Sequence, residues 1–119
     1  MIKLAIVGSR SFNDYELLKK HVDPTNIVAI VSGGARGADT LAEQFAHEYN
    51  LQMIVFKPDY ATHGRAAPFI RNSAIIEASD AVIAFWDGSS TGTLDSIKKA
   101  KKLGKPVTVI EYTANLLEF

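Results

Sequence analysis

Five short apolar runs rich in branched residues, at 4–7, 27–31, 53–56, 81–86 and 107–110, alternate along the chain with stretches of helical spacing. Runs of this length bounded by turn residues read as strands buried on both faces, since they leave no polar face for solvent. The clearest helical stretch places Leu41, Ala42, Phe45 and Tyr49 on one side, with Asp39 as its expected N-cap and its end near Asn50. The other helices are predicted over 15–22, 68–78 and 94–103, and Gly104 followed by Pro106 stops the last of them. An alternation of this kind predicts an α/β domain over 1–119: a doubly wound parallel sheet of five strands and four helices, in three layers. The expected strand order is 3-2-1-4-5. That order reverses direction between the first and fourth strands, and ligands of such sheets sit outside the strand carboxyl ends at the reversal.

The loops that reach this edge are polar and glycine-bearing. All four arginines, Arg10, Arg36, Arg65 and Arg71, lie in or just beyond segments that follow the apolar runs, as do seven of the eight glycines. A guanidinium fork pairs bidentately with phosphate, and glycine lets backbone N–H groups approach an anion closely. After the first strand come Gly8, Ser9 and Arg10, and after the second Ser32, Gly33, Gly34, Arg36 and Gly37. After the fourth come Gly88, Ser89, Ser90, Thr91, Gly92 and Thr93, at the start of a helix whose free N–H groups favour an anion, with Thr91 or Thr93 as expected N-cap. On the third helix Arg71 and Asn72 stand about one turn in, and both can face the same crevice. The residues between 59 and 66, with Tyr60, His63, Gly64 and Arg65, show no apolar periodicity and suit either a lid or an idle surface loop.

Other readings of these segments fail on spacing. The glycine loop after the second strand lacks the spacer and terminal Lys-Ser/Thr of a phosphate-binding NTPase loop, and no acid follows that strand to hold a dinucleotide's ribose. Gly88-Ser89-Ser90-Thr91-Gly92 matches a nucleophile elbow, but His21, His47 and His63 all precede the serine where that hydrolase order needs one after it. The histidines lack metal-ligand spacing, so neither a metal site nor a cofactor is expected. Lys98, Lys99, Lys101, Lys102 and Lys105 read as a solvated helical face, and Phe12, Tyr60 and Trp86 as core or rim aromatics able to stack a base.

Thirteen lysines and arginines balance thirteen acids, leaving no global field for a polyanion, so nucleic acid is not expected as a partner. The absence of cysteine fits a cytoplasmic location, and no run is long enough for a membrane span.

Taken together, Gly8-Ser9-Arg10, Ser32 to Asp39, Ala67-Pro68 with Arg71-Asn72, and Trp86-Asp87-Gly88 followed by Thr91-Gly92-Thr93 resemble the SLOG superfamily, in its YspA-type branch related to YpsA. The resemblance implies a Rossmann-like fold, a nucleotide-type ligand and self-association. The superfamily includes the LOG phosphoribohydrolases, molybdenum-cofactor carriers and DNA-processing protein A, which binds single-stranded DNA. In the LOG enzymes a glycine-rich segment supplies a glutamate; aligned on Gly92-Thr93, that position is Ser96 here. The leading expectation is therefore binding or sensing of a nucleotide or nucleotide-derived small molecule. The alternatives are a phosphoribohydrolase using Arg71 with Asp87 or Asp95, and a single-stranded nucleic-acid module.

Overall fold

The computed structural model describes residues 1–113. Its five strands are β1 (Ile2–Gly8), β2 (Ile27–Ser32), β3 (Gln52–Val55), β4 (Ala81–Trp86) and β5 (Val107–Glu111), all parallel, in the order β3-β2-β1-β4-β5. Side chains alternate across the sheet. Ile6, Ile30, Ile83 and Phe85 enter one core with Leu18 of α1 (Tyr15–His21) and Phe45 of α2 (Ala38–Glu48). Their neighbours Ala5, Val7, Val31, Val82 and Ala84 enter the opposite core with Ile75 and Ile76 of α4 (Ala67–Ala78) and Ile97 of α5 (Thr91–Lys102). Burial on both faces is why the strands read as unbroken apolar runs. Crossovers of one hand require the helices to change faces when the strand order reverses. The first two long helices accordingly cover one face, and the last two the other.

Local chemistry places the helix ends. Asp14 caps α1 by accepting the Leu17 N–H at 3.0 Å. Asn50, at φ 54°, turns the chain out of α2, a conformation asparagine tolerates better than most residues. Gly104, at φ 68°, ends α5, where the Lys105 N–H reaches the Ala100 carbonyl at 3.0 Å.

Two expectations need correction here. The 59–66 stretch is not an irregular loop: Asp59 accepts the Thr62 N–H at 3.1 Å and starts a helical turn, α3 (Tyr60–His63), followed by a 3₁₀ turn at Gly64–Ala66. Nor is the lysine run uniformly solvated. The Lys105 ammonium donates to the carbonyls of Ile76, Glu77 and Ser79 at the C-terminal end of α4, and Lys99 donates to the Phe69 carbonyl at 2.6 Å. Lys105 adds donors where the last carbonyls of α4 lack a full set of helical partners, and a cation there also meets the favourable end of the helix dipole, whereas Lys99 reaches a carbonyl in the first turn of α4 and ties α5 to it.

Candidate functional site

Close approach of loops at the strand carboxyl ends depends on glycine. A Cβ at Gly8 would stand 2.6 Å from the Phe85 carbonyl oxygen and 2.7 Å from Ala38 Cβ, so α2 begins directly against the β1–β4 pair. One at Gly37, where φ is 78°, would stand 2.5 Å from the Ser9 carbonyl oxygen and 2.6 Å from that of Arg10. Ser9 is the shared knot. Its N–H donates to Phe85, its carbonyl accepts from Phe12 and Ala38, and its hydroxyl accepts the Asp87 N–H at 3.2 Å. Arg10 and Arg36 are thereby held on neighbouring loops with exposed side chains.

Across the reversal, the loop after β4 is organised by Asp87. Its Oδ1 accepts the N–H groups of Ser89 at 2.9 Å and Ser90 at 2.8 Å, and these bonds, that of Ser89 foremost, hold its carboxyl below the usual range. The cap of α5 is Ser90, not Thr91 or Thr93: its hydroxyl accepts the Thr93 N–H at 3.3 Å. Trp86 helps to fix this loop by donating its indole N–H to the Ser90 carbonyl at 3.0 Å.

Arg71 joins α4 to the second glycine loop. Its Nη1 donates to the Gly33 carbonyl at 2.7 Å and its Nε to Asn72 Oδ1 at 3.1 Å. The guanidinium fills the space a side chain at Gly33 would need. Asn72 in turn donates to Asp95 Oδ2 at 3.1 Å and to the Gly92 carbonyl at 3.3 Å. Asp95 also pairs with Lys99 at 2.8 Å. It is committed to the α4–α5 contact.

Asp39 is not the N-cap of α2. Gly37 holds that position without a side-chain cap, and Asp39 lies inside the first turn, where its Oδ2 reaches back to the Ala35 N–H at 3.0 Å. Burial pushes its carboxyl upward, opposed by the Ala35 N–H and then by the Arg71 charge.

These segments enclose a cavity of about 510 Å³, within the range of small-molecule sites. Of the residues expected at a site, Gly8, Ser9, Arg10, Arg36, Arg71 and Asn72 line it. So do Asp87, Ser90, Thr91, Gly92 and Thr93. Outside the lining are Ser32, Gly33, Gly34, Gly37, Gly88, Ser89 and Asp95. Gly33 and Gly37 act behind the wall by admitting Arg71 and the Ser9–Arg10 backbone, and Ser32 is fully buried with a hydroxyl that has no hydrogen-bond partner among the described residues. The displacement of Asp95 removes one of the two acids expected in a hydrolytic site. Ser96, at the position of the LOG glutamate, does line the cavity, and it offers a hydroxyl where that enzyme has a carboxylate.

Sequence reasoning missed Asp39, Ser11, Pro68 and Phe69 in the wall. Asp39 reads as a cap in the sequence because a short polar residue before an apolar helical stripe has that signature. Phe69 is the wall's aromatic and is 43% exposed. Of the aromatics expected to stack a base, Phe12 packs on Phe85 with ring centroids 4.5 Å apart. Tyr60 and Trp86 also lie outside the lining. No cluster of three potential metal ligands occurs among the described residues, and none of their helices is long and apolar enough to cross a membrane.

Two solved structures share this architecture. DNA processing protein A from Streptococcus pneumoniae matches with a TM-score of 0.79 and 22% identity, covering 98% of this chain; the chain spans about half of that protein, 52%. DNA processing protein A from Helicobacter pylori matches with a TM-score of 0.71 and 25% identity over 96% of this chain and 67% of that one. The Helicobacter structure is described in terms of a single-stranded DNA binding mode. A polyanion ligand on this fold overturns the exclusion of nucleic acid drawn above from charge balance. Net charge averages over the whole surface, whereas a strand meets only the charges around the groove it enters. Gene 61 protein of Mycobacterium phage D29 is 33% identical over 90% of this chain and 94% of its own length. With residues 2–63 also matching the YAcAr model, described as YspA, cpYpsA-related SLOG family, the chain belongs to that family.

Proposed function

We propose that this chain is a binding module for single-stranded nucleic acid, which seats one nucleotide unit of the strand in the cavity at the sheet's reversal point. The observation that carries this reading is convergence: Arg10, Arg36 and Arg71 line one cavity together with the first turn of α5. Guanidinium groups and a helix N-terminus both favour phosphate, and the capped Ser90–Thr93 turn holds that terminus in a defined geometry. Gly92 adds to the argument. It has helical backbone, and among the described residues no atom outside its chain neighbours and the adjoining helix backbone lies within 4 Å of where its Cβ would stand. The fold therefore does not require glycine there, and a close-approaching ligand supplies the reason. Recognition of single-stranded DNA by the Helicobacter relative supports the choice of ligand class.

A second reading is a free nucleotide, favoured by a volume of about 510 Å³ that suits one nucleotide rather than several. Binding is preferred over base-releasing hydrolysis. Asp87 is engaged by loop N–H groups, Asp95 faces α4, and Ser96 replaces the carboxylate of the LOG segment.

Fluorescence anisotropy with a labelled single-stranded oligonucleotide tests the proposal, with unlabelled nucleoside monophosphate as competitor. Saturable binding that weakens with salt and is lost on changing Arg10 and Arg36 to alanine is expected. Tight monophosphate binding without oligonucleotide binding would favour the second reading, and no binding of either would remove both.

A further inference from the structure

The cavity contains a group that an anion site does not need. Asp39 is 8% exposed and lines the cavity beside Arg71. Its Oδ2 is occupied by the Ala35 N–H. Oδ1 takes no hydrogen bond of good geometry among the described residues, although the nearby Gly33 N–H contributes a weaker attraction to the carboxylate. Among the described residues, the side-chain atom sealed from solvent without a partner is Ser32 Oγ, not an oxygen of Asp39. Oδ1 therefore opens onto the cavity.

A carboxylate among guanidinium groups and free N–H groups weakens the field that attracts phosphate. Its structural duties, holding the glycine loop through Ala35 and balancing Arg71, are met by Oδ2 and by charge alone. The remaining acceptor stabilises a ligand only where it meets a donor, and a buried acceptor left unpaired is costly. A nucleotide unit has donors only on its neutral parts, namely base N–H groups and sugar hydroxyls.

We infer that Asp39 Oδ1 accepts a hydrogen bond from an N–H or O–H donor on the neutral part of the bound nucleotide, so that Asp39 sets which nucleotides the module prefers. The inference rests on the nucleic-acid reading above. A site built to pair with a donor discriminates strongly against the analogue that lacks it.

Three single strands of equal length separate the sources of the donor: oligo(dC), oligo(dU) and oligo(rU). The first pair differs at the base by an amino group and a bare ring N3 against a carbonyl and a ring N3–H, and the second pair by the sugar 2′-hydroxyl. A base donor predicts at least about a fivefold difference between oligo(dC) and oligo(dU), in favour of oligo(dC) for the exocyclic amino group and of oligo(dU) for the ring N3–H, and a sugar donor predicts the same margin for oligo(rU) over oligo(dU). Asp39→Asn keeps an acceptor for Ala35 and offers a donor of its own, so it should level either preference to within about twofold, with thermal melting verifying its fold. Asp39→Ser repeats the comparison if that variant does not fold. Equal wild-type affinity for all three strands, a preference for oligo(dU) over oligo(rU) alone, or a preference that the folded variants leave unchanged overturns the inference while leaving the nucleic-acid reading intact. Failure of all three strands to bind overturns both.

Discussion

Replacing Gly92 by alanine should make the protein more stable and a poorer binder. Gly92 is the second residue of α5, with ordinary helical backbone, and among the described residues nothing beyond its chain neighbours and the adjoining helix backbone lies within 4 Å of the added Cβ. Glycine to alanine at a compatible position lowers the entropy of the unfolded chain and stabilises by about 0.4–1 kcal/mol. For a domain of this size that corresponds to a rise in melting temperature of roughly 2–5 °C. The methyl would occupy the space beside the Ser90–Thr93 turn where a phosphate oxygen is proposed to approach. A displaced charge-assisted hydrogen bond is worth about 1.5–3 kcal/mol, so oligonucleotide affinity should fall by about tenfold or more. Differential scanning calorimetry and anisotropy titration on the same preparation measure the two effects. Gly37→Ala is the contrast: with φ at 78° and the Ser9 carbonyl oxygen 2.5 Å from its Cβ, it should lose stability. A Gly92→Ala protein that is stabilised yet binds normally would refute the docking of phosphate at this turn. One that is destabilised would refute the claim that the space is open.

Three further outcomes follow from other contacts. Lys105→Met removes an ammonium that donates to Ile76, Glu77 and Ser79, and urea unfolding should show a loss of about 1–3 kcal/mol with oligonucleotide affinity unchanged. Asp87 has a depressed carboxyl, so the stability it contributes is present above the ordinary carboxylate pKa of about 3.9 and disappears as pH falls through its lower folded value. Asp87→Asn should therefore flatten the acid limb of the stability curve below about pH 4, as followed by circular dichroism. If Arg10, Arg36 and Arg71 each neutralise a phosphate, the logarithm of affinity for a single strand should fall with the logarithm of salt at a slope near −2, and Arg10→Ala should reduce its magnitude by about 0.7.

Much of the architecture was legible because its signals are local. Apolar runs, helical stripes, and the Gly104 and Pro106 stop each depend on a few adjacent residues, and crossover handedness then leaves few topologies. The three loops at the carboxyl edge were legible for the same reason. Fine assignments within them were not. Asp39 carries the signature of a cap, yet the close approach of Gly37 to the Ser9 and Arg10 carbonyls makes Gly37 the N-cap and leaves Asp39 to reach back to Ala35. The residues from 114 onward, part of the tail whose packing the sequence left open, lie outside the described residues.

By itself the sequence determined a parallel α/β sheet, the place where its order reverses, and the collection of arginine and glycine at that edge. Only the tertiary structure decided which side chains enter the cavity. Arg71 and Asp95 both look available on their helices. Packing of α4 against β2 and α5 commits Arg71 to the Gly33 carbonyl at the cavity wall, and Asp95 to Asn72 and Lys99. The partners of these groups lie up to 38 residues away along the chain. A hydrogen bond depends on positions that the whole fold brings together, whereas periodicity is written into neighbouring residues.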